Sequence, residues 1–215
     1  MTIPELQLIT QDLEGKSHAM QAEEACEAGI RWIQFRSKRT DRSKITAEAK
    51  AVVKVCRHYD SVCIINDNPY LALETGADGV HVGKNDPTPD EARLILGQEA
   101  IIGCTANSFD DILQHATSDI AYFGIGPYRF TSTKRNLSPI LGPEGLTDIV
   151  HRMRQASIDI PLVAIGGILP EDVLNILHTG IHGVAVASAI NEAASPIHEA
   201  HRFIATLQLL SQPLA

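Results

Sequence analysis

A chain of 215 residues with 44% hydrophobic content is long enough to bury one substantial core, and nothing in it marks an internal linker. The net charge of −8, with no basic block or arm, excludes a general nucleic-acid binder, although a local cationic pocket stays open. No apolar run approaches a membrane span, and the N-terminal stretch MTIPELQLIT lacks the basic and apolar parts of a signal peptide, so a cytoplasmic protein is expected.

Taken in order, the chain alternates apolar runs with capped helical stretches. Leu6–Thr10 reads as a strand, and Ser17 opens a helix to about Ala28 that Gly29 stops. Ile30–Arg36 is a second strand. A helix from Ser43 to about Tyr59 follows, with Ile45, Ala49, Val52, Val53 and Cys56 on one face. Val62–Ile65 is the third strand, and Pro69 starts a short helix to Thr75. Gly79–Val82 is the fourth, and Thr88-Pro89-Asp90-Glu91 is a capping box opening a helix to Leu96.

The second half repeats the pattern. Ile101–Thr105 and Ile120–Gly126 are strands around a helix at Ser108–Ala116. A loop from Pro127 to Pro143 leads to a helix from about Glu144 to Ala156. Pro161–Ile165 is followed by a helix at Pro170–His178, and Gly183–Ser188 by one from about Ser195 to Leu210. Eight strand–helix units imply a parallel sheet, and the count favours a single-domain (β/α)8 TIM barrel over residues 1–215, smaller than the usual figure of about 250 residues. A doubly wound open sheet is the alternative.

In a barrel, residues just past the strand ends converge on one mouth. Those positions hold Gln34, Arg36 and Lys38, then Asn66 and Asp67, Asp86, Thr105, Thr131-Ser132-Thr133-Lys134, Gly166-Gly167 and Ser188. Three cations, two carboxylates, hydroxyls and a diglycine suit a substrate with two anionic groups and a metal. Asp67 and Asp86 could share a Mg²⁺ ion, which takes few protein carboxylates, or each could cap the helix that follows it. The diglycine and Ser188 suit a phosphate, though a tight turn would also need the glycines. The nine histidines show no metal spacing, and His81, within a strand, is expected to pack or hydrogen-bond inside the barrel. The four cysteines read as reduced core residues. No nucleophile–base pair stands out, which favours chemistry driven by a metal-bound leaving group.

With these positions in place, the chain resembles the thiamine-phosphate synthase family, also called thiamine-phosphate pyrophosphorylase. The carriers are QFRSK (34–38), INDN (65–68), GADGVHVGKND (76–86), IGCTAN (102–107), GPYRFTSTK (126–134), AIGGI (164–168) and GVAVASAI (183–190), in order. The resemblance implies a compact (β/α)8 barrel that joins 4-amino-2-methyl-5-hydroxymethylpyrimidine diphosphate to a thiazole phosphate, or its carboxylated precursor, giving thiamine phosphate and pyrophosphate. It makes Asp67 and Asp86 ligands of one Mg²⁺ per subunit. It assigns Gln34, Phe35, Arg36, Ser37, Lys38, Asn66, Thr105 and Lys134 to the pyrimidine diphosphate. Thr131, Ser132, Thr133, Gly167, Ala187 and Ser188 go to the thiazole phosphate. Arg36, Lys38 and Lys134 would stabilise the leaving group, with no protein base. Small-molecule substrates are thus the implied partners, and a homodimer is compatible with the family.

Three positions depart from the family pattern: Ser37 where Glu is frequent, Thr105 where Ser is, and Phe130 in place of a frequent Pro. The nearest rival is the thiazole tautomerase of the same superfamily, which tends to lack the acidic pair and to carry Gly-His where this chain has Gly126-Pro127. A non-catalytic barrel that binds thiamine precursors is a third reading.

Overall fold

The computed structural model describes residues 3–130 and 139–211, and side chains through residue 209. Thr131, Ser132, Thr133 and Lys134 therefore lie outside the described residues. Eight parallel strands close into a barrel: β1 (Leu6–Ile9), β2 (Trp32–Phe35), β3 (Val62–Asn66), β4 (Gly79–Val82), β5 (Ile101–Ala106), β6 (Tyr122–Ile125), β7 (Leu162–Ile165) and β8 (Gly183–Val186). Leu8 pairs with both Ile33 of β2 and Val186 of β8, so the first strand closes the ring. The open-sheet alternative is ruled out.

The two-residue period of a strand divides the core into two layers. Inside the barrel, Ile9, Trp32, Ile64, Ile101, Tyr122, Val163 and Ala185 pack together. Between strands and helices, Leu8, Ile33, Phe35, Ile65, Val80, Val82, Phe123 and Val184 pack against helical residues such as Ala22, Val52, Ala92 and Phe203. Tyr122 stands edge-on to Trp32, with ring centroids 4.8 Å apart. Gly103 makes room for it, since a Cβ there would overlap the Tyr122 ring.

The helices start where side-chain caps allow. Helix α1 (His18–Glu27) is capped by Ser17, and α2 (Arg42–His58) by Asp41 rather than starting at Ser43. Asn68 caps α3 (Pro69–Thr75), which ends at Gly76 in the left-handed conformation (φ +68°). The Thr88–Glu91 capping box opens α4 (Pro89–Leu96), and Ser108 caps α5 (Phe109–His115). Helix α6 (Gly142–Gln155) begins two residues earlier than the sequence suggests, shortening the preceding loop. A 3-10 turn at Pro170–Asp172 leads into α7 (Val173–His178). The sequence reading missed α8 (Ser188–Asn191), one turn that begins just beyond β8, before α9 (Pro196–Ser211). No described helix is long and apolar enough to cross a membrane.

Candidate active site

The strand C-termini open into a cavity of about 620 Å³, within the usual range for small-molecule sites. Gln34, Arg36, Asn66, Asp67, Asp86, Thr105, Gly166, Gly167, Ala187 and Ser188 all line it, although they come from six of the strands and the turns after them.

The two aspartates are not helix caps. Asn68 caps α3 and Thr88 caps α4, through hydrogen bonds to Leu71 N (3.0 Å) and Glu91 N (3.2 Å). Asp67 instead adopts a left-handed backbone (φ +67°), a conformation that aspartate tolerates better than most non-glycine residues. Its N–H donates to the His81 carbonyl at 2.8 Å, which ties the end of β3 to β4. Asp86 folds back so that Oδ2 accepts the Gly83 N–H at 2.7 Å. Both carboxylates line the same cavity, and hard oxygen donors of this kind fit a Mg²⁺ ion that completes its shell with water and phosphate.

The floor is a buried polar chain. Gln34 Nε2 donates to Gln7 Oε1 (3.2 Å), and Gln7 Nε2 lies 3.4 Å from the Tyr122 hydroxyl. That hydroxyl is 3.2 Å from His81 Nδ1, and His81 Nε2 is 2.9 Å from Thr105 Oγ1. His81 therefore hydrogen-bonds within the barrel, as expected of a strand histidine. Burial pushes the Tyr122 phenol well above its ordinary value, so it is a neutral donor and acceptor. Thr105 keeps the hydroxyl that a serine would supply. The sequence reading passed over Gln7 and Tyr122 as site residues. The available signal was period two: Gln7 precedes the inward Ile9, and Tyr122 precedes the two small residues Gly124 and Gly126 on the same face.

Opposite the aspartates, Gly166 (φ +103°) and Gly167 (φ +67°) turn the chain out of β7. A Cβ on Gly166 would sit 2.8 Å from Pro127 Cβ, and one on Gly167 2.9 Å from the Phe130 carbonyl oxygen. The diglycine is thus required both by conformation and by the close approach of the loop after β6. Arg129, also at the rim, donates to Asp172 Oδ1 at 2.7 Å and to the Gly167 carbonyl at 3.3 Å. Lys84, another lining residue that sequence reasoning passed over, pairs with Asp111 at 2.7 Å.

Phe35, Ser37 and Lys38 do not line this cavity. Phe35 is one position out of phase with Gln34, so its side chain is buried in the outer layer against His18, with centroids 4.7 Å apart. Ser37 Oγ and the Lys38 N–H both donate to the Asp12 carboxylate, at 2.7 Å each. Among the described residues, one set of three metal-type ligand atoms lies within 4.8 Å, from Asp12, His18 and Glu48. Arg39 pairs with both of those carboxylates, supplying the positive charge a cation would bring. All four cysteines are free and buried, and burial raises the Cys104 thiol to about 11, so it stays a neutral core group.

Residues 6–190 match the family described as thiamine monophosphate synthase. A thiamine-phosphate synthase of Bacteroides fragilis is 44% identical over 199 residues, covering 93% of this chain and 98% of the relative. One from Flavobacterium psychrophilum is 44% identical over 191 residues, covering 89% and 93%. Among solved structures, thiamine phosphate pyrophosphorylase from Pyrococcus furiosus superposes with a TM-score of 0.84 at 28% identity, covering 97% of this chain and 98% of that one.

Proposed function

The chain belongs to the thiamine monophosphate synthase family, and on that premise we propose that its cavity transfers the aminopyrimidinylmethyl group from its diphosphate to the nitrogen of a thiazole phosphate. The C–O bond to the diphosphate breaks with its electron pair leaving on pyrophosphate, and the thiazole nitrogen then supplies the pair for the new C–N bond. The products are thiamine phosphate and pyrophosphate. The observation that carries the reading is the convergence of Asp67, Asp86, Arg36 and Gln34 with the Gly166-Gly167 turn around one cavity.

Gln34, at the floor, holds the aminopyrimidine, whose ring nitrogens and amino group supply electron density to the methylene as the bond breaks. Arg36, Lys38 and Lys134 neutralise the departing charge, with Asn66 and Thr105 completing the diphosphate side. Gly167, Ala187 and Ser188 hold the thiazole phosphate at the strand 7–8 end where barrels commonly bind such groups, and Thr131, Ser132 and Thr133 are assigned to the same phosphate. Asp67 and Asp86 would hold Mg²⁺, which when bound takes up charge on the leaving oxygens. No residue is asked to move a proton. Placing both substrates in one mouth supplies part of the roughly 7–11 kcal/mol available from alignment.

The Gly126-Pro127 pair and the two aspartates favour this reaction over thiazole tautomerisation. The free buried cysteines are in keeping with a reducing cytoplasm. A homodimer completes the reading, with light scattering as its check. Incubation of the protein with both substrates and Mg²⁺ should yield thiamine phosphate and pyrophosphate in equal amounts. A folded protein that makes neither refutes the proposal.

A further inference from the structure

Asp12 stands in the connection between β1 and α1, outside the cavity lining, yet it fastens the segment that carries two of the proposed diphosphate residues. Its Oδ2 accepts the Lys38 N–H at 2.7 Å, and its Oδ1 accepts the Ser37 hydroxyl at 2.7 Å. Ser37 Oγ in turn accepts the Arg39 N–H at 3.2 Å. Arg39 Nε lies 3.3 Å from Asp12 Oδ1, and its guanidinium also pairs with Glu48 of α2.

His18 joins this group to the barrel. It is 1% exposed at the first residue of α1. Its Nε2 lies 3.1 Å from Asp12 Oδ1 and 3.6 Å from Glu48 Oε2, and its Nδ1 is 2.7 Å from Thr10 Oγ1. The same Thr10 hydroxyl accepts the Arg36 N–H at 3.2 Å. The backbone amides of Arg36, Lys38 and Arg39 are thus each bonded to a side chain of this network.

We infer that Asp12 and His18 are positioning residues for diphosphate binding, holding the segment after β2 in the conformation that presents Arg36 and Lys38 to the anion. This rests on the function proposed above. An exposed segment bearing cations would otherwise lose conformational freedom when the anion binds, and ordering it beforehand removes that cost. Burial works against the charge on Asp12, but hydrogen bonds from the Lys38 N–H, Ser37 and His18 outweigh it and keep the carboxyl below its ordinary pKa. At neutral pH Asp12 is therefore an acceptor for all its partners. Arg39 is shared between the Asp12 and Glu48 carboxylates, so the network already holds a countercharge of its own beside the segment it positions.

The test is Asp12→Ala, with Asp12→Asn as an isosteric variant that carries the test if the alanine protein does not fold. KM is measured for each substrate, and pyrophosphate binding by calorimetry in the presence of Mg²⁺. Loss of the carboxylate should raise KM for the pyrimidine diphosphate and Kd for pyrophosphate about tenfold or more, as for one or two charge-assisted bonds. KM for the thiazole phosphate should stay within about twofold. Asp12→Asn, which keeps an acceptor for one of its partners, should recover part of the loss. Unchanged pyrophosphate affinity in the folded variant, or an equal rise in both KM values, overturns the inference. Wild-type protein that binds pyrophosphate but forms no product sinks the proposed reaction alone.

Discussion

Asp67 shows most directly how single residues divide their work at this site. It adopts a left-handed backbone, and Asn68 beside it caps the next helix. Asp67 is therefore not the cap of α3, and it lines the cavity instead. Asp67→Ala or Asp86→Ala should reduce kcat by about 10²-fold or more and blunt the response to Mg²⁺, on the scale of removing one electrostatic stabiliser. Steady-state rates across a Mg²⁺ titration measure both effects, and wild-type rates in the two variants would rule out the metal assignment. Ser188→Ala should raise KM for the thiazole phosphate about tenfold, the worth of one hydrogen bond to a charged group. A selective loss of pyrimidine diphosphate binding in that variant would mean the two subsites are exchanged. Gly103→Ala places a methyl group against the buried Tyr122 ring and should destabilise the protein by about 1–3 kcal/mol in chemical denaturation.

At the scale of elements, most boundaries follow from local chemistry that reads directly in the sequence. Ser17 and Thr88 cap their helices as their sequence context indicates, while the caps at Asn68, in place of Asp67, and at Asp41 emerge only in the structure. Thr88→Ala should therefore cost about 1 kcal/mol in denaturant unfolding while leaving both KM values within about twofold, because Thr88 does not line the cavity. Two elements were less legible. The four-residue α8 has no side-chain cap and is too short to show helical periodicity. The start of α6 at Gly142 is likewise uncapped by a side chain and carries Gly142, Pro143 and Gly145, which read as loop residues.

For the whole molecule, closure of the ring brings residues far apart in sequence to one end, and the same closure links stability to pH. Asp12, bonded to a segment 26 residues away, has a lowered pKa. Its contribution is present above the ordinary aspartate value of 3.8 and is lost as pH falls through the still lower folded value. Glu91, lowered by its bonds from Thr88, acts in the same direction. Thermal melts should show wild type losing its advantage over Asp12→Asn as pH drops below about 4, because the unfolded carboxyl then takes up a proton that the native one binds only at lower pH. A difference that persists unchanged to about pH 2 would assign the Asp12 effect to packing instead.

The sequence by itself determined the alternation of elements, the caps at Ser17 and Thr88, and the strand-end positions from which Gln34, Arg36, Asp67, Asp86 and Ser188 reach one mouth. Those features depend on periods of two and 3.6 and on residues a few positions apart. The count of eight units already favoured a closed barrel, whereas tertiary structure alone decided that Phe35 turns to the helices and that Gln7, Tyr122 and His81 form one polar floor. It alone placed Asp12 and His18 behind the segment carrying Arg36 and Lys38. Loops have no period, and pairings between them arise only after strand register has brought their ends together. Hence many cavity residues at the strand ends could be read in advance, while the floor residues Gln7 and Tyr122 and those holding the β2 segment in place could not.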